Sequence, residues 1–305
     1  MSAISFKKDF DFEYGNVQHV APRIRRLVCN NPGPFTFTGT GTYIVGTGNV
    51  AVIDPGPDDQ AHFEALTNAL DGETISHILI THTHKDHSPL AARLKELTGA
   101  QTFAYGPHGT GKHKAIASGS AQLDASGDTD FAPDVEIIHG DVIEGRGWTM
   151  ESVFTPGHTS NHMAFALREE KALFSGDHVM AWSTSVIAPP DGNMADYFSS
   201  LYVLLERDDE IFWPTHGPEK RKPRDFVRAF ISHRKMREEA IFRRISKGDQ
   251  TIGEIVKAVY ADVDPRLHPA AAMSTFAHIE HLLERGKIST TDTEPSLDSV
   301  YKAKT

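Results

Sequence analysis

Apolar residues recur with a period of two over the first two thirds of the chain and with a period near 3.6 over the last third, so strands and tight turns give way to helices. Residues 34–58 read as a hairpin, with β-rich runs at 42–45 and 50–54 around the turn Gly46-Thr47-Gly48-Asn49. A helix is expected near 61–70, where Phe63, Leu66 and Leu70 share one face. A short β-branched run at 76–81 leads into a helix of about ten residues from Ser88. Leu90, Leu94 and Leu97 form its buried stripe, and Gly99 suits its C-terminal cap. Strands resume at 135–138, Trp148–Phe154, Met163–Leu167 and 172–175, and Ile211-Phe212-Trp213 precedes Pro214. This alternation predicts two sheets covered by helices.

Residues 106–133 are rich in Gly, Ser and Asp and carry little apolar periodicity, which predicts an irregular surface insertion and a mobile lid. Within it, residues 106–112 match a glycine-rich phosphate loop as far as Lys112. His113 then stands where that loop needs a hydroxyl for magnesium, so the lid reading is preferred, with His108 and His113 facing solvent. From about residue 219 the pattern is helical, at 225–246, 251–260 and 269–284, and 286–289 can form a hairpin tip. This predicts a mixed strand-and-helix domain over 1–220 and a small winged-helix-like module over 221–305.

Composition narrows the class. An apolar share of 39% with 24% charged residues is that of a globular protein. The longest apolar runs fall far short of the roughly 20 residues a membrane span needs, and the N-terminus carries no continuous apolar segment of the signal-peptide kind. With Cys29 as the one cysteine, no intrachain disulfide can form, and a cytoplasmic location is expected. The net charge of −10 is unevenly spread: residues 219–247 hold eleven Lys/Arg against four Asp/Glu, leaving −17 elsewhere. Such a stretch is either an anion-facing surface or the wet face of a helix, with Arg224, Arg228, Arg234, Lys235, Arg243 and Arg244 outside and Phe226, Phe230 and Ile241 inside.

The 17 histidines change the picture further. Thr81-His82-Thr83-His84-Lys85-Asp86-His87-Ser88 lies where a buried strand ends and a helix begins, a place where a rigid sheet fixes loop geometry. His82 and His84 fall on one side of an extended segment, and Asp86 and His87 lie past the turn. Three imidazoles and a carboxylate in six residues are a ligand set for zinc or a similar ion. Three later segments each place one strong ligand beside glycine after a β-run: Thr155-Pro156-Gly157-His158, Ser175-Gly176-Asp177-His178 and Pro214-Thr215-His216-Gly217.

These segments, in this order over about residues 34–217, resemble the metallo-β-lactamase superfamily. The resemblance implies a four-layer αββα sandwich of α+β class. It implies two Zn2+ ions, with Mn2+ or Fe2+ as alternatives, one held by His82, His84 and His158 and the other by Asp86, His87 and His216. Asp177 would bridge both, and Asp54 would hydrogen-bond the ligand loop from behind. A bridging carboxylate resembles the glyoxalase, nuclease and lactonase-like branches rather than the true β-lactamases. Two such ions share a water whose pKa falls to near neutrality, making a bridging hydroxide the nucleophile, and Asp86 can take its proton. His178, next to Asp177, either protonates the leaving group or is a buried structural histidine. Trp182, Ser183 and Ser185 are candidate pocket residues.

Residues 191–197, 214–218 and the basic helix resemble the lactamase-beta-two branch, in which some members act on single-stranded RNA. The Lys220-Arg221-Lys222 cluster, four residues past His216, is then expected near the pocket mouth. Three functions stay open: an RNA phosphodiesterase, a thioester, ester or lactone acyl hydrolase, and a nucleic-acid-binding regulator. Partners are accordingly a small molecule or single-stranded RNA and not a membrane, and oligomerisation stays open.

Overall fold

A computed structural model of the chain describes residues 4–112 and 126–304. Its first sheet runs in chain order through seven strands: β1 Gln18–Ala21, β2 Ile24–Val28, β3 Gly41–Thr47, β4 Asn49–Ile53, β5 Thr74–Leu79, β6 Gln101–Ala104 and β7 Val135–Glu136. β1 to β4 pair antiparallel, β1 with β2 and β3 with β4 through short turns and β2 with β3 through the loop of residues 29–40. β5, β6 and β7 then add in parallel, and helices α1 Gln60–Ala69 and α2 Leu90–Thr98 carry two of the crossovers that parallel pairing demands. The second sheet has the order β13-β12-β11-β10-β9-β8, from β8 Val142–Gly145, β9 Trp148–Phe154, β10 Met163–Leu167, β11 Ala172–Gly176, β12 Ile211–Pro214 and β13 Lys220–Arg221. Helix α3, Met194–Leu205, links the parallel pair β11 and β12.

Side-chain alternation along these strands builds four layers. Tyr43 and Val45 of β3, Ala51 and Ile53 of β4, Phe165 of β10, Phe174 of β11 and Trp213 of β12 meet between the sheets. The intervening Ile44, Val50 and Val52 face outward under Leu66 of α1 and Leu94 of α2. On the other side Ala164, Ala166, Leu173 and Phe212 lie under Tyr197 and Leu201 of α3. The expected α+β sandwich is therefore present. Gly99 caps α2 in the left-handed region at φ +73°. Leu97, expected in the buried stripe of α2, is instead 61% exposed, because Leu90, Ala91 and Leu94 already cover the sheet.

Helix α4, Pro223–Ser246, is 24 residues long and joins two cores. Its first half places Phe226, Val227, Phe230 and Ile231 on the outer face of the second sheet. Its second half places Ile241 and Ile245 against α5 Ile252–Val259, α6 His268–Glu284 and the small hairpin of β14 Ile288–Thr290 with β15 Tyr301–Ala303. Two expectations for the basic stretch change here. Arg234 is not on the wet face: it is 3% exposed, lies over the Tyr197 ring and donates to the Ser185 carbonyl. The Lys220 cluster does not sit at a pocket mouth, because β13 runs antiparallel to β12. Lys220 and Arg221 pair with Phe212 and Ile211, which returns them toward the end of the sheet opposite His216. Of the insertion expected over 106–133, residues 106–112 and 126–133 are irregular as expected, and residues 113–125, His113 included, lie outside the described residues, so the lid is not described. His108 does not simply face solvent; it is half-buried and hydrogen-bonded to Thr83 at 2.8 Å. No helix among the described residues is long and apolar enough to cross a membrane.

Candidate metal centre

The ligand-type residues gather at the strand ends where the two sheets share an edge. The loop leaving β5 carries His82, His84, Asp86 and His87, the loop after β9 carries His158, Asp177 follows the end of β11, and His216 lies two residues past the end of β12. His84 Nδ1 lies 3.0 Å from His82 Nε2 and 3.2 Å from His158 Nε2. His216 Nε2 lies 3.2 Å from Asp86 Oδ2, and His87 Nε2 lies 3.4 Å from the same oxygen. The Asp177 carboxylate reaches both sets, at 3.6 Å from His158 Nε2 through Oδ2 and 3.4 Å from His216 Nε2 through Oδ1. Three groups of three result, each with its ligand atoms within 4.8 Å of one another: His82, His84, His158; Asp86, His87, His216; and His82, His87, Asp177.

The outer nitrogens of four of these rings are already engaged, which points the inner ones at the cluster. His158 Nδ1 donates to the Val186 carbonyl at 2.6 Å and His216 Nδ1 to the Gly39 carbonyl at 3.1 Å. His82 Nδ1 lies 3.1 Å from the Thr81 hydroxyl, whose own proton goes to Asp54 Oδ2 at 2.7 Å. His87 Nδ1 donates to Asp54 Oδ2 at 2.9 Å. Asp54 also accepts the Thr81 backbone N–H at 2.8 Å and the Thr215 hydroxyl at 3.1 Å, so one carboxylate ties the first ligand loop to the end of β12. Its backbone sits at φ +48°, a conformation aspartate tolerates better than most residues.

Charge within the cluster is unevenly held. Burial presses His84 down to about 3, and neighbouring His158 adds to the effect, so its lone pair is free at neutral pH. Burial would also lower His216, but the Asp177 and Asp86 carboxylates outweigh it and hold the ring up at about 10. Asp86 and Asp177 both lie below the usual carboxylate range: burial opposes this, and the adjacent imidazoles overcome it. His87 Nε2 and Asp177 Oδ1 are buried in the middle of the cluster without a hydrogen-bond partner among the described residues. Buried polar atoms left without a partner are costly unless something else fills the space, and a set of imidazoles and carboxylates fits divalent cations.

A cavity of about 790 Å³ opens onto His84, Asp86, His158, Asp177 and His216. Phe35, Met180, Val186 and Ala188 wall it on the sandwich side, and Pro269, Met273 and Leu297 wall it from the C-terminal region. Sequence reasoning missed this second wall, for which half-exposed small residues at the start of a helix gave no signal. It also missed Asn161, whose amide donates to Thr83 Oγ1 at 2.9 Å and supports the ligand loop from the side.

Several candidates lie elsewhere. His178 is fully buried beside Tyr197 and His162, with ring centroids at 4.6 and 5.8 Å, and is not on the cavity wall. Burial and His158 push its pKa down to about 3, and neither ring nitrogen has a hydrogen-bond partner among the described residues. His162 donates from Nδ1 to Thr155 at 2.8 Å and accepts the Asp177 backbone N–H at Nε2. Trp182 stacks on Phe37 at 4.8 Å instead of lining the cavity. Ser183 does not line it either, and Ser185 is buried behind Asp177, donating to the carbonyls of Asp177 and His178.

Comparison with known proteins agrees with this geometry. Residues 36–216 match the metallo-beta-lactamase superfamily, and residues 251–295 match the beta-lactamase associated winged helix domain. The Beta-lactamase-like protein 2 homolog of Drosophila melanogaster is 30% identical over 284 residues, covering 87% of this chain and 89% of that protein. The atrochrysone carboxyl ACP thioesterase dmxR1 of Cryptosporiopsis sp. (strain 8999) is 29% identical over 265 residues, covering 81% and 74%. Among solved structures, a beta-lactamase domain protein from Burkholderia ambifaria superposes with a TM-score of 0.79 at 21% identity over 97% of each chain. The chain belongs to the metallo-beta-lactamase superfamily and is a hydrolase of that family, with the associated winged helix domain at its C-terminal end.

Proposed function

We propose that the protein is a dinuclear metal-dependent acyl hydrolase whose substrates are thioesters or esters with an apolar acyl group. The observation that carries this reading is the cavity of about 790 Å³, with five ligand-type residues at its base and apolar side chains from both ends of the chain on its walls. A site that buries a small molecule is characteristically concave and apolar with a few convergent polar groups. The relative from Cryptosporiopsis, named a carboxyl ACP thioesterase, supports the same reading.

In this proposal His82, His84 and His158 hold one ion and Asp86, His87 and His216 the other, with Asp177 between them. Two divalent cations, zinc or else manganese or iron, would supply an activated water and neutralise the oxygen that becomes negative as the acyl carbon is attacked. Asp86 is placed to orient that water and hold its proton, since the Thr40 hydroxyl fixes Asp86 Oδ2 at 3.1 Å. Asp54 keeps His87 in one tautomer and holds the loop geometry. A thiol of ordinary pKa, about 8.5, leaves as thiolate without a dedicated acid. That suits a cavity wall on which, among the described residues, every histidine belongs to the ligand cluster. His178 then has a packing role. The proposed division keeps 1–220 as the hydrolase domain and 221–305 as the winged-helix-like module.

The RNA phosphodiesterase reading has less support. Its basic cluster at Lys220 runs away from the site, and Arg237, Arg243, Arg244 and Lys247 line a separate cleft between α4 and α5. The test is turnover of a thioester, ester and lactone panel and of labelled single-stranded RNA by zinc-loaded protein. Thioester hydrolysis that falls at least about 1,000-fold in His84→Ala and Asp177→Ala is expected, the scale on which removal of key catalytic groups operates. RNA cleavage that survives repurification, with no acyl substrate turned over, overturns the proposal.

A further inference from the structure

The cavity above the ligand cluster is closed in part by residues outside the sandwich. Pro269, Ala270, Ala272 and Met273 come from the first turns of α6, and Leu297 from the segment before β15. We propose that this C-terminal wall selects the acyl group, with Met273 as the specificity-determining residue. The proposal rests on the acyl-hydrolase reading and names the part of the substrate that is read and the side chain that reads it.

Three observations carry it. The wall is chemically of one kind, since its five members are all apolar, whereas the polar lining of the cavity comes from the ligand cluster and from Thr36, Lys85, Ser126 and Asp191, none of them on α6. An acyl carbonyl at the cluster therefore directs the tail, not the leaving group's polar arm, toward α6. The wall is graded in size: Pro269, Ala270 and Ala272 are short, and Met273 is the long side chain among them, half-buried by the protein alone. An unbranched thioether fills or vacates space at small cost, which suits a residue that gauges length.

The wall is also fixed relative to the chemistry. The Ser185 hydroxyl donates to the Asp177 carbonyl, and the Ser185 carbonyl accepts from Arg234. The other arm of Arg234 reaches Ser274 Oγ at 3.4 Å, one residue from Met273. Thr275 and Ala277, one and three residues beyond Ser274, are fully buried. Three polar contacts thus connect the ligand Asp177 to the turn of α6 that carries Met273. Arg234 is the positioning residue in this chain and does not line the cavity.

Removing or adding a few methylenes at an apolar wall changes discrimination by roughly 10- to 200-fold. The experiment is a ladder of N-acetylcysteamine thioesters, from short to long straight-chain acyl groups, with the zinc-loaded protein and its Met273→Ala, Met273→Trp, Arg234→Met and Met236→Ala variants. Met273→Ala is expected to move the optimum of kcat/KM to longer chains and Met273→Trp to shorter ones. The ratio of long-chain to short-chain KM should shift roughly tenfold in each case. Arg234→Met should flatten the preference across the ladder, and Met236→Ala, exposed on α4 away from the cavity, should leave it in place. Unchanged or uniformly scaled profiles in both Met273 variants overturn the proposal. A second readout is calorimetric binding of the matching straight-chain carboxylic acids. A chain-length ladder in affinity that moves in the Met273 variants supports the gauge even where no thioester is hydrolysed, in which case the acyl-hydrolase reading fails alone. Failure of every acid to bind, with no shift in the thioester ladder, overturns the gauge.

Discussion

The carboxylate of Asp54 and the ring of His87 meet at 2.9 Å, Oδ2 to Nδ1, with both side chains shut off from solvent. Neither is in the cavity, yet this contact decides which nitrogen of His87 points into the ligand cluster. It also shares its acceptor with Thr81 and Thr215, so the candidate ligand loops of two sheets are registered through one side chain.

Asp54→Asn tests that role. Asparagine tolerates the positive φ, but one of its two positions becomes a donor and cannot accept from His87, Thr81 and Thr215 together. Zinc affinity should fall about 10- to 100-fold. Titration against a chromophoric chelator reads this directly, and wild-type affinity in the variant would show that the contact does not support the site.

Gly157 makes a second, steric prediction. It sits at φ +135°, and a Cβ there would lie 2.4 Å from the backbone Cα of Tyr197, near the start of α3. Its carbonyl accepts the N–H of Asn193, the residue that caps that helix. Gly157→Ala must push the loop off the helix and carry the adjacent His158 with it. Misplacement of about 1 Å can cost about 100-fold in turnover, so a loss of that size is expected, together with reduced metal content. Full metal occupancy and wild-type kcat would show that the loop has slack.

Glu238 gives the clearest pH signature. It lies on α4 and accepts from His281 at 2.6 Å and His278 at 3.3 Å on α6, and from Arg285 at 2.9 Å. Burial alone would raise its pKa, but the hydrogen bonds from the two histidines outweigh it and hold the group at about 2. His278 is lowered to about 4, chiefly by burial. Both groups are depressed in the folded state, so both contribute stability that is complete at neutral pH. The His278 share is lost as pH falls from about 6.5 toward 4, and the Glu238 share from about 4.5 toward 2. Glu238→Gln should therefore destabilise the protein by about 2 kcal/mol at pH 7. That difference should shrink as the pH falls toward 3, as read by thermal denaturation. Parallel melting curves across the range would contradict the assignment.

How much of this was readable beforehand follows from where the physics is local. The candidate ligand motifs were legible because each follows a β-run, and the three later ones set their residue beside a glycine, as at Gly157 and Gly176. The strand β2 was not, because Arg25 and Arg26 interrupt its apolar pattern. Arg25 is paired with Glu73 at 2.6 and 3.0 Å, and Arg26 lies over the Phe10 ring and donates to Gln18, pairings that no local window reveals. Helix α3 was missed for the opposite reason: exposed Tyr202 and Val203 add apolar residues beyond the buried face of Met194, Tyr197, Phe198, Leu201 and Leu204 and blur its stripe. Arg234 looked like one more charge on a wet face, and only its distant partners Ser185 and Ser274 make it internal. The Met273 wall depends wholly on how α6 packs.

His178 provides the sharpest separation between a residue near the chemistry and one in it. Its neighbour Asp177 points into the ligand cluster, whereas the His178 ring turns toward Tyr197 and His162, with no partner for either nitrogen among the described residues. A group that protonates a leaving atom has to reach it directly or through one water, and a ring off the cavity wall does neither. Replacing a buried, unpartnered polar group by an apolar one of similar volume is close to neutral for stability. His178→Leu should thus keep its zinc and stay within about tenfold of wild-type kcat/KM, a difference of about 1.4 kcal/mol in transition-state stabilisation. His84→Ala, by contrast, should lose both metal and turnover. A His178→Leu enzyme that retains two zinc ions but loses about 1,000-fold in kcat, with the acid limb of its pH profile abolished, would restore the histidine as the proton donor.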